Sequence, residues 1–206
     1  MKITVGIGIG ACAIGMVAYV AIGLSGPNTD LLAIENPTDA QIAEIADMLK
    51  HPDLSLRGKV QDRLLELDRR SLPALANLAQ TGYPQVRVAL TLIIEIAPEA
   101  VFDVVDSVQS HDDPVMRATG LNMLQPFAAH TRTTEIWLDA LDDADPELRE
   151  DVVRYLAATP STERATVAKR LLTLRTDPAA PVREAAVSTL QILTGNDYAS
   201  QFNVQR

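Results

Sequence analysis

Apolar residues recur through most of this chain at the spacing of one helix face, in a unit that repeats. Each unit carries an arginine with apolar or small residues one position before, three after and seven after it, and these positions share one face of a helix. The arginines are Arg57, Arg87, Arg117, Arg149 and Arg183, separated by 30, 30, 32 and 34 residues. The residues seven positions later are Leu64, Ile94, Leu124, Leu156 and Leu190. The pattern predicts five amphipathic helices, the arginine helices, each of which buries this stripe.

A second helical segment precedes each arginine helix, over residues 38–50, 71–80, 98–109, 133–142 and 161–175. Each unit is therefore predicted to be a helix hairpin, which cannot bury its stripe alone and must pack on its neighbours. Asp113-Pro114 and Asp145-Pro146 place an N-capping aspartate before a proline at the first helical position. Around Pro52 and Pro178 the proline stands five residues before the arginine instead of three, so longer turns are expected there.

With these motifs the chain resembles the HEAT repeat family in its bacterial form, whose second helix opens with Asp-Pro-x-x-Arg, as at residues 113–117 and 145–149. The resemblance covers residues 38–194 and implies an all-α fold, an α-solenoid of about five HEAT-like helix hairpins. It also implies that the five arginines are structural and bond carbonyls or acidic side chains of the adjacent turn. In the tail, residues 195–206, we expect Tyr198 and Phe202 to cover the last repeat.

Residues 3–24 carry no charge, and 22 such residues can span a bilayer as one helix. Lys2 precedes this run and the first charges after it are acidic, which places the N-terminus in the cytoplasm. The sequence thus predicts a transmembrane anchor over residues 1–24, a tether over 25–37, and a repeat domain on the periplasmic or extracellular side of a bacterial inner membrane. Small residues four apart, such as Gly6 and Gly10, would allow two such helices to associate.

Two other interpretations of this segment stay open. Ala21-Ile22-Gly23 could serve as a signal-cleavage site, which would release a secreted soluble adaptor. Ile9-Gly10-Ala11-Cys12 resembles a lipobox, although twelve apolar residues follow the cysteine.

The charge of the chain argues against nucleic acid as a partner. Eighteen Lys and Arg residues oppose 27 Asp and Glu residues, and no basic patch stands out. Residues 98–158 hold thirteen acidic and four basic side chains, whereas residues 159–206 hold four acidic and six basic ones. Many of these acidic residues stand in turns and at helix starts, where they complement the helix dipole, so capping accounts for much of the excess. A protein partner with a basic surface is the functional alternative.

The arginine helix of the second repeat is apolar on nearly all sides. One and five positions after its arginine it carries Val88 and Leu92, where other repeats have polar or small residues. Such a helix needs a second cover, so the sequence predicts that these side chains are exposed on an inner wall and bind a partner. The predicted partner-binding residues are Val88, Leu92, Glu95, Asn122, Glu150 and Arg154.

No grouping of residues indicates catalysis. Cys12 is the single cysteine, the three histidines fall in separate turns, and no nucleophile triad, phosphate loop or His-Glu-x-x-His spacing is present. We therefore expect no catalytic residue, cofactor or metal. The sequence predicts a membrane-anchored interaction scaffold or an accessory subunit of a membrane complex. A HEAT-like lyase, which would be an enzyme, stays open as an alternative.

Overall fold

The computed structural model describes residues 27–202, and this part of the chain is all-α. Short 3₁₀ turns extend or connect many of the helices. The helices are α1 (Asp39–Asp47), α2 (Leu54–Glu66), α3 (Leu72–Ala79), α4 (Gln85–Ile96), α5 (Val101–Val108), α6 (Pro114–Met123), α7 (Thr131–Asp139), α8 (Pro146–Tyr155), α9 (Arg164–Leu171) and α10 (Ala180–Thr194).

The even-numbered helices are the arginine helices, and each packs on the next one along the chain. Contacts join α2 to α4, α4 to α6, α6 to α8, and α8 to α10. Among the helices that precede them, α1 contacts α3, α3 contacts α5, and α5 contacts α7. Neighbours in sequence are thus neighbours in space.

The predicted apolar stripe forms the core. The residue directly before each arginine is buried, and so are Leu64, Leu124, Leu156 and Leu190, each with no exposed surface. Ile94 differs, since it is only half-buried while it packs against the core. Burying a side chain of this size contributes roughly 1.5–3 kcal/mol, so the stripe is the main source of stability on each helix.

Aspartates cap α6 and α8, as the sequence predicts. The Asp113 carboxylate accepts a hydrogen bond from the Val115 N–H (2.9 Å), and that of Asp145 accepts one from the Glu147 N–H (2.9 Å). The expectation of longer turns around Pro52 and Pro178 is wrong. Residues 51–53 and 177–179 form three-residue turns like residues 143–145, because each proline occupies the second turn position and the helix still begins three residues before its arginine.

The segments at both ends of the described chain pack on the repeats next to them. Phe202 is fully buried and Tyr198 packs against the core, as the sequence predicts. At the other end, the second half of the predicted tether lies on the first repeat. Leu31 is buried there, and Arg63 Nη2 donates to the Ile34 carbonyl (2.6 Å). Arg70 Nη2 donates to the Pro37 carbonyl (2.5 Å).

The predicted transmembrane anchor, residues 1–24, lies outside the described residues. Between residues 27 and 202 no helix has the length and the apolar character that a membrane crossing requires.

Two arginines connect consecutive turns through bidentate bonds to aspartate. Arg117 donates to Asp143 through Nε (2.7 Å) and Nη2 (2.8 Å), and Arg149 donates to Asp177 through the same two atoms (2.9 Å each). The four side chains are at most 12% exposed. We call these two pairs the arginine–aspartate clamps. Two parallel hydrogen bonds between one guanidinium and one carboxylate restrict the orientation of both side chains and also stabilise the contact.

Each clamp arginine also binds its own turn. The carbonyls five and six residues before Arg117 accept from its Nη1 at 3.0 and 2.8 Å, and the same positions accept from Arg149 (3.2 and 2.7 Å) and Arg183 (3.1 and 2.8 Å). The arginine helix is therefore bound to the turn that starts it, in addition to the next turn.

The residue six positions before each arginine explains why the clamps are only two. These residues are His51, Thr81, His111, Asp143 and Asp177. A clamp needs an aspartate at this position in the next unit, and only Asp143 and Asp177 supply one. Arg57 would face Thr81 and Arg87 would face His111, and neither arginine side chain has a hydrogen bond or ion pair within residues 27–202.

The clamps also set the charge of their carboxyl groups. Burial raises the pKa of Asp143 and Asp177, but the hydrogen bonds from Arg117 and Arg149 and from one backbone N–H each outweigh it, so both pKa values lie below 3.8. A carboxyl whose pKa falls on folding stabilises the fold above the unfolded-state pKa, and this contribution is lost as the pH falls through the folded-state pKa.

Arg149→Ala should lower the free energy of unfolding by about 3 kcal/mol at neutral pH, because it leaves Asp177 buried without its partner. Urea unfolding followed by circular dichroism measures the change. The matched control is Arg170→Ala, whose partner Asp142 is 80% exposed, so that this pair should be worth less than about 1 kcal/mol. The difference between parent and Arg149→Ala should shrink once the pH falls below the pKa of Asp177. Equal losses for the two variants would contradict a clamp.

His111→Asp should create a third clamp, between the new carboxylate and Arg87. Because Arg87 is exposed, the gain in the free energy of unfolding should not exceed about 1 kcal/mol. The new carboxylate would also keep the turn bond that His111 Nδ1 accepts from the Asp113 N–H. Thermal and urea unfolding measure the gain, and the same substitution in an Arg87→Ala background is the control. A gain that persists without Arg87 would refute the position rule.

Candidate interaction surfaces

A groove of about 370 Å³ runs across α4, α6 and α8. We call it the three-helix groove, and the lining residues used below are Tyr83, Arg87, Val115, Asn122, Asp151 and Tyr155. All three helices are arginine helices, so the groove lies on the side that their apolar stripes leave free. It exists because these helices lie side by side.

Apolar surface is exposed at this groove. Tyr83 is 55% exposed and Val115 is 51% exposed, and they are two of the four large apolar side chains that stand out to solvent among the described residues. Half of the exposed large apolar side chains thus line one groove. Apolar groups among polar ones, on a surface that no other part of residues 27–202 covers, mark a binding site more often than scattered ones do.

Polar groups fix the other walls of the groove. Asn122 Nδ2 donates to the Tyr155 hydroxyl (3.1 Å), which connects α6 to α8. Within the described residues, the carbonyl oxygen of the Asn122 amide accepts no hydrogen bond and the Tyr155 hydroxyl donates none. Arg87 supplies a positive charge on α4, and Asp151 supplies a negative one on α8. The groove therefore combines apolar side chains with charge of opposite sign on its outer helices.

The structure brings only part of the predicted partner-binding set to this groove. Asn122 lines it. Glu150 and Arg154 lie on α8 and form an ion pair with each other, and Glu95 is exposed on α4. Val88 is half-buried and packs against the core.

The expectation that Leu92 is exposed is wrong, since only 4% of it is accessible. The second cover that α4 needs comes from inside the chain: α3 packs on one side of it, and α2 and α6 pack on others. The apolar character of α4 thus reflects a central position among helices.

Sequence reasoning missed Tyr83, Val115 and Tyr155. Val115 stands two positions before its arginine, where the other repeats have Ser55, Gln85, Glu147 and Pro181. An apolar residue at a position that is otherwise polar or proline was the available signal. Tyr83 lies in a turn outside the repeat pattern, so periodicity carries no information about it.

A second concavity, of about 430 Å³, is lined by acidic residues of α5, α7 and the turn after α7. We call it the acidic cleft; its carboxylates are Asp106, Glu135, Asp139, Asp142 and Asp143. Arg132 pairs with Asp106 and with Glu135 (3.7 Å), and Asp142 pairs with Arg170 (2.7 Å). Since Asp143 belongs to a clamp, internal arginines neutralise much of the acid that the sequence concentrates here.

The histidines and the tryptophan have structural contacts. Nδ1 of His51, His111 and His130 accepts a hydrogen bond from the N–H two residues later, at 3.1, 3.0 and 3.1 Å. Trp137 is fully buried, and its Nε1 donates to the Leu121 carbonyl (3.2 Å). Within residues 27–202 no three His, Cys, Asp or Glu side chains are grouped so that they could hold a metal ion.

No family model and no curated protein matches the sequence. The chain is similar to the crystal structure of an engineered protein, with 15% identity over 81% of this chain and 88% of that one, at a TM-score of 0.44.

Leu92→Asp should lower the free energy of unfolding by about 4 kcal/mol, because it places an unpaired charge in a packed interface. Val115→Asp, the matched control on the groove surface, should change it by less than about 0.5 kcal/mol. Urea unfolding of both variants measures the contrast. If Leu92→Asp is as stable as Val115→Asp, α4 is not covered as the structure has it.

Proposed function

We propose that this protein is a membrane-anchored interaction scaffold, or an accessory subunit of a membrane-associated complex. Its repeat domain is an α-solenoid of about five HEAT-like helix hairpins. Residues 1–24 form the anchor, and the solenoid lies on the periplasmic or extracellular side of a bacterial inner membrane. Self-association of the anchors is compatible with this arrangement.

The order of helix contacts supports the solenoid. Each arginine helix packs on the next one, and the units share one apolar stripe, which is what a repeat array requires. The clamps supply a polar contact between units at matching positions. These features agree with the resemblance to the HEAT repeat family.

The observation that carries the binding role is the three-helix groove. Its exposed Tyr83 and Val115 offer the apolar and aromatic contact area on which binding energy concentrates in protein interfaces. Asn122 and Tyr155 offer hydrogen bonds to a partner, and Arg87 and Asp151 orient it by charge. The partner is a protein that presents an apolar side chain to this groove.

Val115→Arg should remove a partner that co-purifies with the full-length protein from membranes, and Tyr83→Ser should weaken its binding about tenfold or more. The control is Ile192→Arg, which changes a side chain of similar exposure on α10. Quantitative mass spectrometry after affinity purification measures the partner. If the partner still co-purifies with Val115→Arg, or is lost equally with Ile192→Arg, the three-helix groove is not its binding site.

Two alternatives predict different observations. A HEAT-like lyase would bind a chromophore or turn over a substrate as the purified protein, without any protein companion. A secreted adaptor would lack residues 1–23 or thereabouts in its mature form, which mass spectrometry of the N-terminus detects. The anchored scaffold requires an intact N-terminal segment and extraction by detergent.

A further inference from the structure

A third concavity, of about 640 Å³, opens beside the point where the described chain begins. We call it the N-terminal groove, and it is lined by Pro27, Leu32, His51, Leu56 and Lys59 among others. Leu54 stands next to it at the start of α2 and is 72% exposed, the most exposed of the large apolar side chains in residues 27–202. This surface has an apolar part, a cation, Lys59, and an anion, Asp53, whose carboxylate caps the start of α2.

The segment that enters this groove is held firmly from Thr29 onwards. The 3₁₀ turn Thr29–Ala33 packs on α1 and α2, and its Leu31 is buried. Arg63 and Arg70 then bind the carbonyls of Ile34 and Pro37. The chain therefore has little free length between the uncharged run and the first repeat.

That free length can be estimated. Two residues, Ser25 and Gly26, separate Leu24, the last residue of the uncharged run, from Pro27, and the three steps from Leu24 to Pro27 span at most about 11 Å. The headgroup region on each side of a bilayer is roughly 5–8 Å thick. Pro27 itself lines the N-terminal groove. With residues 3–24 in a bilayer, the groove is therefore held at the membrane surface.

We propose that the N-terminal groove and Leu54 lie on the lipid headgroups, so that the membrane surface is the partner of this end of the domain. This inference rests on the anchor in the proposed function. Leu54 enters the boundary between headgroups and acyl chains, and Lys59 faces lipid phosphates. The exposed Leu54, which would be unfavourable in water, acquires an apolar neighbour in this way.

The experiment uses the full-length protein with Cys12→Ala, which removes the single native cysteine. Leu54→Cys, Lys59→Cys and, as the distant control, Ile192→Cys are each labelled with a fluorophore. The proteins are reconstituted in vesicles made of equal parts phosphatidylethanolamine and phosphatidylglycerol that contain a nitroxide-headgroup lipid. The two N-terminal labels should be quenched several-fold more than the label at position 192.

Flotation of the vesicles distinguishes failure of the proposed anchor from failure of the inference about the N-terminal groove. Protein that does not float with the vesicles refutes the anchor and this inference together. Protein that floats, with labels at positions 54 and 59 no more quenched than the label at position 192, overturns this inference alone. Two reporters on one groove keep the result decisive if either substitution disturbs the fold, which circular dichroism detects.

Discussion

Each arginine helix has one apolar stripe, and no single helix hairpin can bury it, so the fold depends on neighbours that pack side by side. Leu64, Leu124, Leu156 and Leu190 are all inaccessible to solvent, and they sit at the same distance from their arginines. The side-by-side packing of the described helices follows from this requirement. The opposite sides of the helices remain free, and α4, α6 and α8 form the three-helix groove there.

Polar contacts add orientation to this apolar packing. The clamps join the turn before α6 to the turn before α8, and that turn to the one before α10. An aspartate at one position decides whether a clamp exists, because the arginine is present in all five units. The histidines at that position in the first and third units keep the local turn bond but cannot offer a carboxylate.

The sequence predicted the helices, their buried stripe and the aspartate caps, since these depend on local periodicity and on residues close in the chain. It failed for Leu92 because burial of that side chain depends on α2, α3 and α6, which periodicity within α4 does not describe. The prediction of longer turns around Pro52 and Pro178 failed because the position of a proline alone does not determine where a helix begins. Of the candidate site, Asn122 was predicted from its polar position, whereas Tyr83 and Tyr155 required knowledge of which helices are adjacent.

The uneven distribution of clamps has a mechanical consequence. A load applied through the N-terminus would first reach the carbonyl contacts of Arg63 and Arg70, and next the junctions that lack a clamp. The part of the chain with Arg117 and Arg149 would resist longer. The domain would thus peel from its first repeat, and the three-helix groove, which spans α4 to α8, would straddle the boundary between the yielding and the resistant part.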